Sequence, residues 1–330
     1  MSGGDTLKNE QRSATAFAPA TVANVAVGFD ILGFAVEATG DRVTVTRTER
    51  TEQPTVTLGE ITDAAGAPFG SEIPLDPARN TATVGLSALL EERKPGFGFR
   101  VSISKGIALG SGLGGSAASA VGSLVAANAL LERPLSDEEL MPYALLGERA
   151  ASGAIHPDNV TPCLFGGMTL VTSLSPFRCV RLPVPKKILT VLVHPRVRVD
   201  TRGARSLLRT EVPLADLIKQ TASLAGFVAG CYTDDLGLIG ESLRDHVVEA
   251  QRATLIPAFA EMKAAALEAG ALGASISGSG PTVFAWVTSS EAAERARHSM
   301  LRALREHGGT EADSWVSPVS LQGARVLNKQ

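Results

Sequence analysis

From Ala14 onward, apolar residues alternate with small or polar ones through TAFAPATVANVAVGFDILGFAVE, and again through RVTVTRT and TVTL. That period of two is what a half-buried strand requires. AAGAPFGSEIPLDPARN, dense in Gly and Pro, predicts a surface loop. The period then lengthens to that of a helix from about Thr81 to Glu92, FRVSIS predicts a strand, and Ser116 to Leu131 again has helical spacing. Ser136 and Glu139 form a capping box that opens a helix running to about Ser152. MTLVTS and ILTVLVHP read as short strands. Beyond Pro195, helices are predicted over 201–209, 215–232, 258–269 and 290–306, with a hairpin-like ASISGSGPTVFAWV between the last two. Strands followed by helices, then helices flanking a small antiparallel unit, predict an α+β chain in two lobes. The first dozen residues predict a loose tail, and no internal repeat is visible.

Composition narrows the function classes. The chain has 330 residues, 44% hydrophobic, which suits two domains or one large domain with an appended lobe. A net charge of −3 leaves no electrostatic footprint for nucleic acid. Nothing approaches the roughly 18 consecutive apolar residues of a membrane span, and the polar start lacks a signal-peptide core. Cys163, Cys179 and Cys231 are scattered and odd in number, so they read as reduced thiols of a cytoplasmic protein.

Chemistry concentrates in Lys105 to Ser119, KGIALGSGLGGSAAS, a glycine-rich stretch between a predicted strand and a predicted helix. Glycines let backbone approach a ligand closely, and the following helix directs unpaired N–H groups and its positive dipole end at the loop. The combination is an anion cradle, most often for phosphate. A Walker loop is excluded, because GGSAAS has no lysine after its last glycine. GSGLGG satisfies G-x-G-x-x-G, but ERPLSDEEL and another helix follow where a dinucleotide fold needs a strand ending in an acidic residue.

The loop resembles the phosphate-binding motif of the GHMP small-molecule kinases. Three further segments resemble that family in order: APATVANVAVGFDILG near the N-terminus, GERAASGAIHPDNVTPCLFGG after the loop, and GASISGSGPTVFA near the C-terminus, together spanning about Ala14 to Val287. The resemblance implies a two-lobed GHMP kinase fold, with a ribosomal S5 domain 2-like nucleotide-binding lobe over 14–184 and a ferredoxin-like lobe over 185–330. It implies transfer of phosphate from ATP, with Mg2+, to the hydroxyl of L-homoserine, a step toward threonine. A different small-alcohol substrate and a non-catalytic ATP-binding regulator remain as alternatives, and a homodimer is compatible with the family. The family loop usually reads P-x-G-S-G-L-G-S-S-A-A, whereas this chain has Ala108 and Gly115. Gly115 loses a hydroxyl but keeps its N–H.

Site residues follow from the same resemblance. Lys105, Ile107, Ala108, Leu109, Gly110 and Ser111 begin the nucleotide site, which continues through Gly112, Leu113, Gly114, Gly115, Ser116 and Ala117. Asn80 matches an adenine-contacting position, or is a plain N-cap; Lys105 is either a nucleotide contact or a solvated strand end. Ser116 and Glu148 match the metal ligands, two oxygens of the kind magnesium takes beside phosphates and water. Arg205 and Arg252 match the pair that holds the acceptor's carboxylate, for which a guanidinium fork is suited. Asn24, Asp30 and Asp158 match homoserine contacts, with His156, Asn159, Thr201 and Gly278 as further ones. Asp158 and His156 are the candidates for a general base, if one is used.

Overall fold

Ala14, Ala16, Ala18, Ala20 and Val22 are all buried on strand β1 (Ser13–Ala23), the alternation expected of its sequence. In this computed structural model, which describes residues 11–69, 72–153 and 155–330, β1 pairs antiparallel with β2 (Leu32–Arg50). The 19 residues of β2 let it serve several neighbours. After β3 (Val56–Asp63) and α1 (Thr81–Arg93) comes β4 (Phe97–Lys105), which lies between β2 and β3 in the order β1-β2-β4-β3. Helices α2 (Gly115–Asn128), α3 (Asp137–Ser152) and α4 (Pro157–Phe165) follow, then β5 (Met168–Leu174) against the start of β2, and β6 (Phe177–Leu182) on β5.

Small residues let α2 lie close on the sheet: a Cβ on Gly122 would come within 2.7 Å of Val43 Cγ2 and 3.3 Å of Ala18 Cβ. The predicted capping box at α3 is formed, Ser136 accepting from the Glu139 amide while Glu139 accepts from that of Ser136.

The second lobe contains β7 (Leu189–Pro195), α5 (Thr201–Ser206), α6 (Leu214–Thr233), α7 (Leu236–Ser242), α8 (Glu249–Arg252), α9 (Phe259–Glu268), β8 (Gly273–Ile276), β9 (Val283–Val287), α10 (Ser290–Ala303) and β10 (Ala312–Pro318). Its sheet, β10-β7-β9-β8, is antiparallel throughout, and β8 and β9 are the hairpin the sequence predicts. Val283, Ala285 and Val287 face α9 and α10, while Phe284 and Trp286 point at the first lobe. Phe34 of β2 meets them there, its ring centroid 6.1 Å from Phe284 and 5.5 Å from Trp286. One strand thus supplies both faces of a core that joins the lobes.

The last strand, β11 (Arg325–Lys329), crosses back and pairs with β1, so the chain's end belongs to the N-terminal sheet although the sequence reading assigns 185–330 to the second lobe. Neither β11, exposed and rich in polar residues, nor the partly exposed β10 shows the apolar alternation that would announce it. α4 is also unanticipated. Pro157 opens it and Pro162 lies inside it, and prolines read as breakers. No helix among the described residues is long and apolar enough to cross a membrane.

Candidate active site

A cavity of about 670 Å³ lies between the lobes, with the glycine-rich loop from β4 to α2 along one side. Gly110, Gly112 and Gly114 all have positive φ. A side chain would collide at each: a Cβ on Gly110 would stand 2.5 Å from Arg198 Cγ, one on Gly112 2.3 Å from Ser277 O, and one on Gly114 2.1 Å from Thr21 Oγ1. Gly114 caps α2 without a side chain, so the N–H groups of Gly115 and Ser116, both lining the cavity, have no cap. Ala108, Leu109, Gly110, Ser111 and Gly112 line it too. The side chains of Ile107, Leu113 and Ala117, residues expected among the nucleotide contacts, lie in the core, so that only their backbone could face a ligand. The amides of Ile107 and Leu113 are also taken, donating to Asp41 Oδ1 at 3.1 Å and Ser111 Oγ at 3.3 Å.

Lys105 is not a solvated strand end. It is buried in an ion pair with Asp41, and its Nζ also donates to Gly115 O and Ser119 Oγ at 2.8 and 3.0 Å. Asp41 Oδ1 accepts the amides of Gly106 and Ile107. The pair therefore fastens the start of the loop to the first turn of α2 from behind. From the other lobe, Ser277 Oγ donates to Gly112 O at 2.7 Å and Thr282 Oγ1 to Ser111 O at 2.6 Å. The C-terminal glycine motif thereby clamps the glycine-rich loop.

Asn80 caps α1, accepting from Ala82 N at 3.0 Å, and donates to Pro74 O at 2.7 Å. The plain N-cap expectation holds, and the residue lines the cavity as well. Ser116 Oγ donates to Glu148 Oε2 at 2.8 Å. Burial pushes the Glu148 carboxyl up to about 7, against the lowering effect of the Ser116 hydrogen bond.

The other end of the cavity is assembled by the turn after β1, where Asn24, Val25, Ala26 and Asp30 all adopt positive φ. Asn24 holds it: its Oδ1 accepts from Asp30 N at 3.0 Å, and its Nδ2 donates to Gly278 O at 2.9 Å. Asp30 Oδ2 accepts from Arg205 Nη2 at 2.7 Å, and Asp30 Oδ1 lies 3.3 Å from His156 Nδ1. Burial would raise the Asp30 carboxyl, but His156 and Arg205 together hold it below the usual carboxylate range. The same hydrogen bond raises His156 above an ordinary histidine. Asp158 is buried beside them and pushed up to about 7, first by burial and then by the Asp30 charge.

Arg252 donates from Nη1 to Gly278 O at 3.1 Å. Both arginines flank Phe29, their guanidinium carbons 5.5 Å (Arg205) and 5.1 Å (Arg252) from its ring centroid. Thr201 Oγ1 lies 3.4 Å from Ser279 Oγ. Asn159 sits nearer the phosphate loop, accepting from Thr21 Oγ1 at 2.8 Å. Phe29, Asp41 and Thr21 escaped the sequence reading. Phe29 lies in the first motif beside Asp30, which was its available signal; Asp41, in the middle of β2, offered none.

Buried polar groups are normally hydrogen-bonded, and exceptions point to function. Among the described residues, five buried side-chain atoms lack a partner, and three belong to this site: His156 Nε2, Asp158 Oδ1 and Arg252 Nε. The cavity thus offers a cationic donor, a carboxyl acceptor and an imidazole nitrogen together. At the other end lie uncapped amides and the half-buried Ser116 hydroxyl bonded to the buried Glu148 carboxyl.

Comparison with known proteins agrees in both halves. The GHMP kinases N terminal domain matches residues 80–167, and the GHMP kinases C terminal domain matches 227–306. The chain is 43% identical over 323 residues to a homoserine kinase of Chlorobium phaeovibrioides, covering 96% of this chain and all of that one. It is 44% identical over 326 residues to a homoserine kinase of Xylella fastidiosa strain M12, covering 99% of this chain and 98% of the relative. A crystal structure of homoserine kinase from Cytophaga hutchinsonii superposes with a TM-score of 0.90 at 41% identity, covering 96% of this chain and 98% of that one.

Proposed function

The chain belongs to the GHMP kinases, and on that footing we propose how its cavity works. It transfers the γ-phosphoryl group of ATP to the hydroxyl of L-homoserine, giving O-phospho-L-homoserine and ADP. The observation that carries this reading is the trio of unpartnered buried atoms. Arg252 Nε offers a donor to a carboxylate, Asp158 Oδ1 an acceptor to an ammonium, and His156 Nε2 a partner to a hydroxyl. Homoserine carries all three groups. A sugar has neither ionic group, and mevalonate lacks the ammonium.

Phosphoryl transfer asks mainly for positioning and charge neutralisation. The amides at the start of α2 and the loop hold the phosphates, and Arg205 and Arg252, spaced by Phe29, hold the amino acid's carboxylate. His156 takes the hydroxyl proton, with Asp158 as the second candidate. His156 Nδ1 lies 3.3 Å from Asp30 Oδ1 and 3.4 Å from Arg205 Nη1; in the neutral tautomer that donates from Nδ1 to Asp30, Nε2 is the acceptor.

Ser116 and Glu148 fit Mg2+: two oxygens 2.8 Å apart at the phosphate loop, one on a buried carboxyl whose charged form a cation would favour. An ion held there would supply neutralisation of phosphate charge. Asp30, His156 and Asp158 also come within metal-binding reach of one another, but Arg205 already takes one oxygen of Asp30, which leaves the cluster fewer ligand atoms for a metal. Three free thiols support a cytoplasmic setting.

The test is ADP release from Mg·ATP in the presence of different alcohols. Turnover should require L-homoserine, and comparable rates with mevalonate or galactose would refute the assignment.

A further inference from the structure

Among the described residues, Arg79, Arg198 and Arg202 line the cavity without a role so far, and Arg198 lies against the glycine-rich loop itself. Arg198, between β7 and α5, lines the same cavity as the glycine-rich loop. Its side chain lies across that loop: a Cβ on Gly110 would come within 2.5 Å of Arg198 Cγ and 3.3 Å of its Nε. The neighbouring amide, Val199 N–H, donates to Gly110 O at 3.2 Å and fixes the approach. A guanidinium is thereby carried on the first glycine of an amide-lined turn. Its Nη1 meets Glu72 Oε1 at 3.5 Å, with both side chains 56% exposed. Glu72 belongs to the loop between β3 and α1 that leads to Asn80, so the pair reaches from one lobe to the other.

An exposed pair at that distance is screened by water and contributes little. Phosphates carry more negative charge and match the guanidinium fork far better than one distant carboxylate oxygen. Resting on the assignment of the loop to ATP, we propose that Arg198 is a triphosphate-binding residue and that Glu72 is the anion it leaves when nucleotide arrives. The exchange gives the two residues opposite signs. Removing Arg198 loses a phosphate contact, whereas removing the Glu72 charge frees the guanidinium. A simple strap between lobes would make both substitutions act in the same direction.

Calorimetric binding of AMP-PNP and of AMP to the wild-type chain, R198A, R198K and E72Q distinguishes these cases. R198A should weaken AMP-PNP about tenfold and AMP less than about twofold, with R198K between. E72Q should tighten AMP-PNP by about two- to threefold, an effect no folding defect can produce. R198A binding AMP-PNP within about twofold of wild type, or E72Q binding it no tighter, would overturn the role of Arg198 while leaving the nucleotide site intact. Failure of the wild-type chain to bind AMP-PNP would overturn the nucleotide assignment itself, and this inference with it.

Discussion

Arg252→Met separates binding from stability, because the site has placed a cation where the empty protein gains little from it. Arg252 is 3% exposed, yet among the described residues its side chain donates one hydrogen bond, to Gly278 O at 3.1 Å, and its Nε has no partner. Burial lowers its pKa, Asp30 offsets part of that effect, and Arg205 adds repulsion. Replacing poorly compensated buried charge with an apolar side chain of similar length is often neutral or stabilising by about 1–4 kcal/mol. Taking the low end, about 1 kcal/mol, the melting temperature should hold or rise by a few degrees, roughly 2–4 °C. Substrate binding moves the other way. A charge-assisted contact to the homoserine carboxylate is worth about 1.5–3 kcal/mol, so KM for homoserine should rise by roughly 10- to 150-fold. KM for ATP should change little, since Arg252 makes no contact with the phosphate loop. Thermal melting and steady-state kinetics on one preparation decide it. A drop of several degrees with an unchanged homoserine KM would show that the guanidinium serves the fold instead.

Two further substitutions test the other end of the cavity. Glu148 binds its proton up to about pH 7 when folded, against 4.5 for an ordinary glutamate. Between those values the folded state holds a proton that the unfolded state has lost, so stability falls as pH rises through that window, by up to about 3 kcal/mol. Glu148→Gln should flatten that slope in urea titrations at pH 5 and 7.5, and should lower kcat by at least the ~10- to 100-fold typical of disturbing a metal site; an unchanged slope refutes the burial argument. Lys105→Met leaves Asp41 buried and unpaired, which should cost about 3–5 kcal/mol. Adding Asp41→Asn, which keeps an acceptor for the Gly106 and Ile107 amides, should recover a large part of that loss. Strictly additive stabilities in the double-mutant cycle would show that the two side chains do not act as a pair.

How much of this was legible depended on whether a feature is local. The capping box of α3, the β8–β9 hairpin and the glycine loop each lie within a few consecutive residues, and each forms as its sequence predicts. Features created by tertiary closure were invisible. Asp41 is one polar residue inside a strand until Lys105, 64 positions later, arrives beside it. β11 is a polar segment that becomes a strand because β1 offers an unpaired edge. Site residues divide the same way. Arg205, Asp30 and His156 share one cluster, but Asn80 is committed to capping α1, and Ile107 and Leu113 to the core. A motif marks where chain meets ligand, and alternation within it decides which side chains face inward.

The unpartnered atoms and the strained turn have one physical origin. Four residues after β1 that are not glycine adopt left-handed backbone, a conformation tolerated only where the surroundings enforce it. Asn24 enforces it from both lobes, holding Asp30 N with one end and Gly278 O with the other. Gly278 O also receives Arg252, so a single carbonyl fixes the arginine proposed for the carboxylate relative to the Asp30–His156 pair. Charges that would be costly to bury alone are therefore set before substrate arrives, and a zwitterion entering between them completes bonds already aimed. The glycine-rich loop proposed to hold the phosphates is fixed to the same frame, because Ser277 and Thr282 of the C-terminal motif grip it.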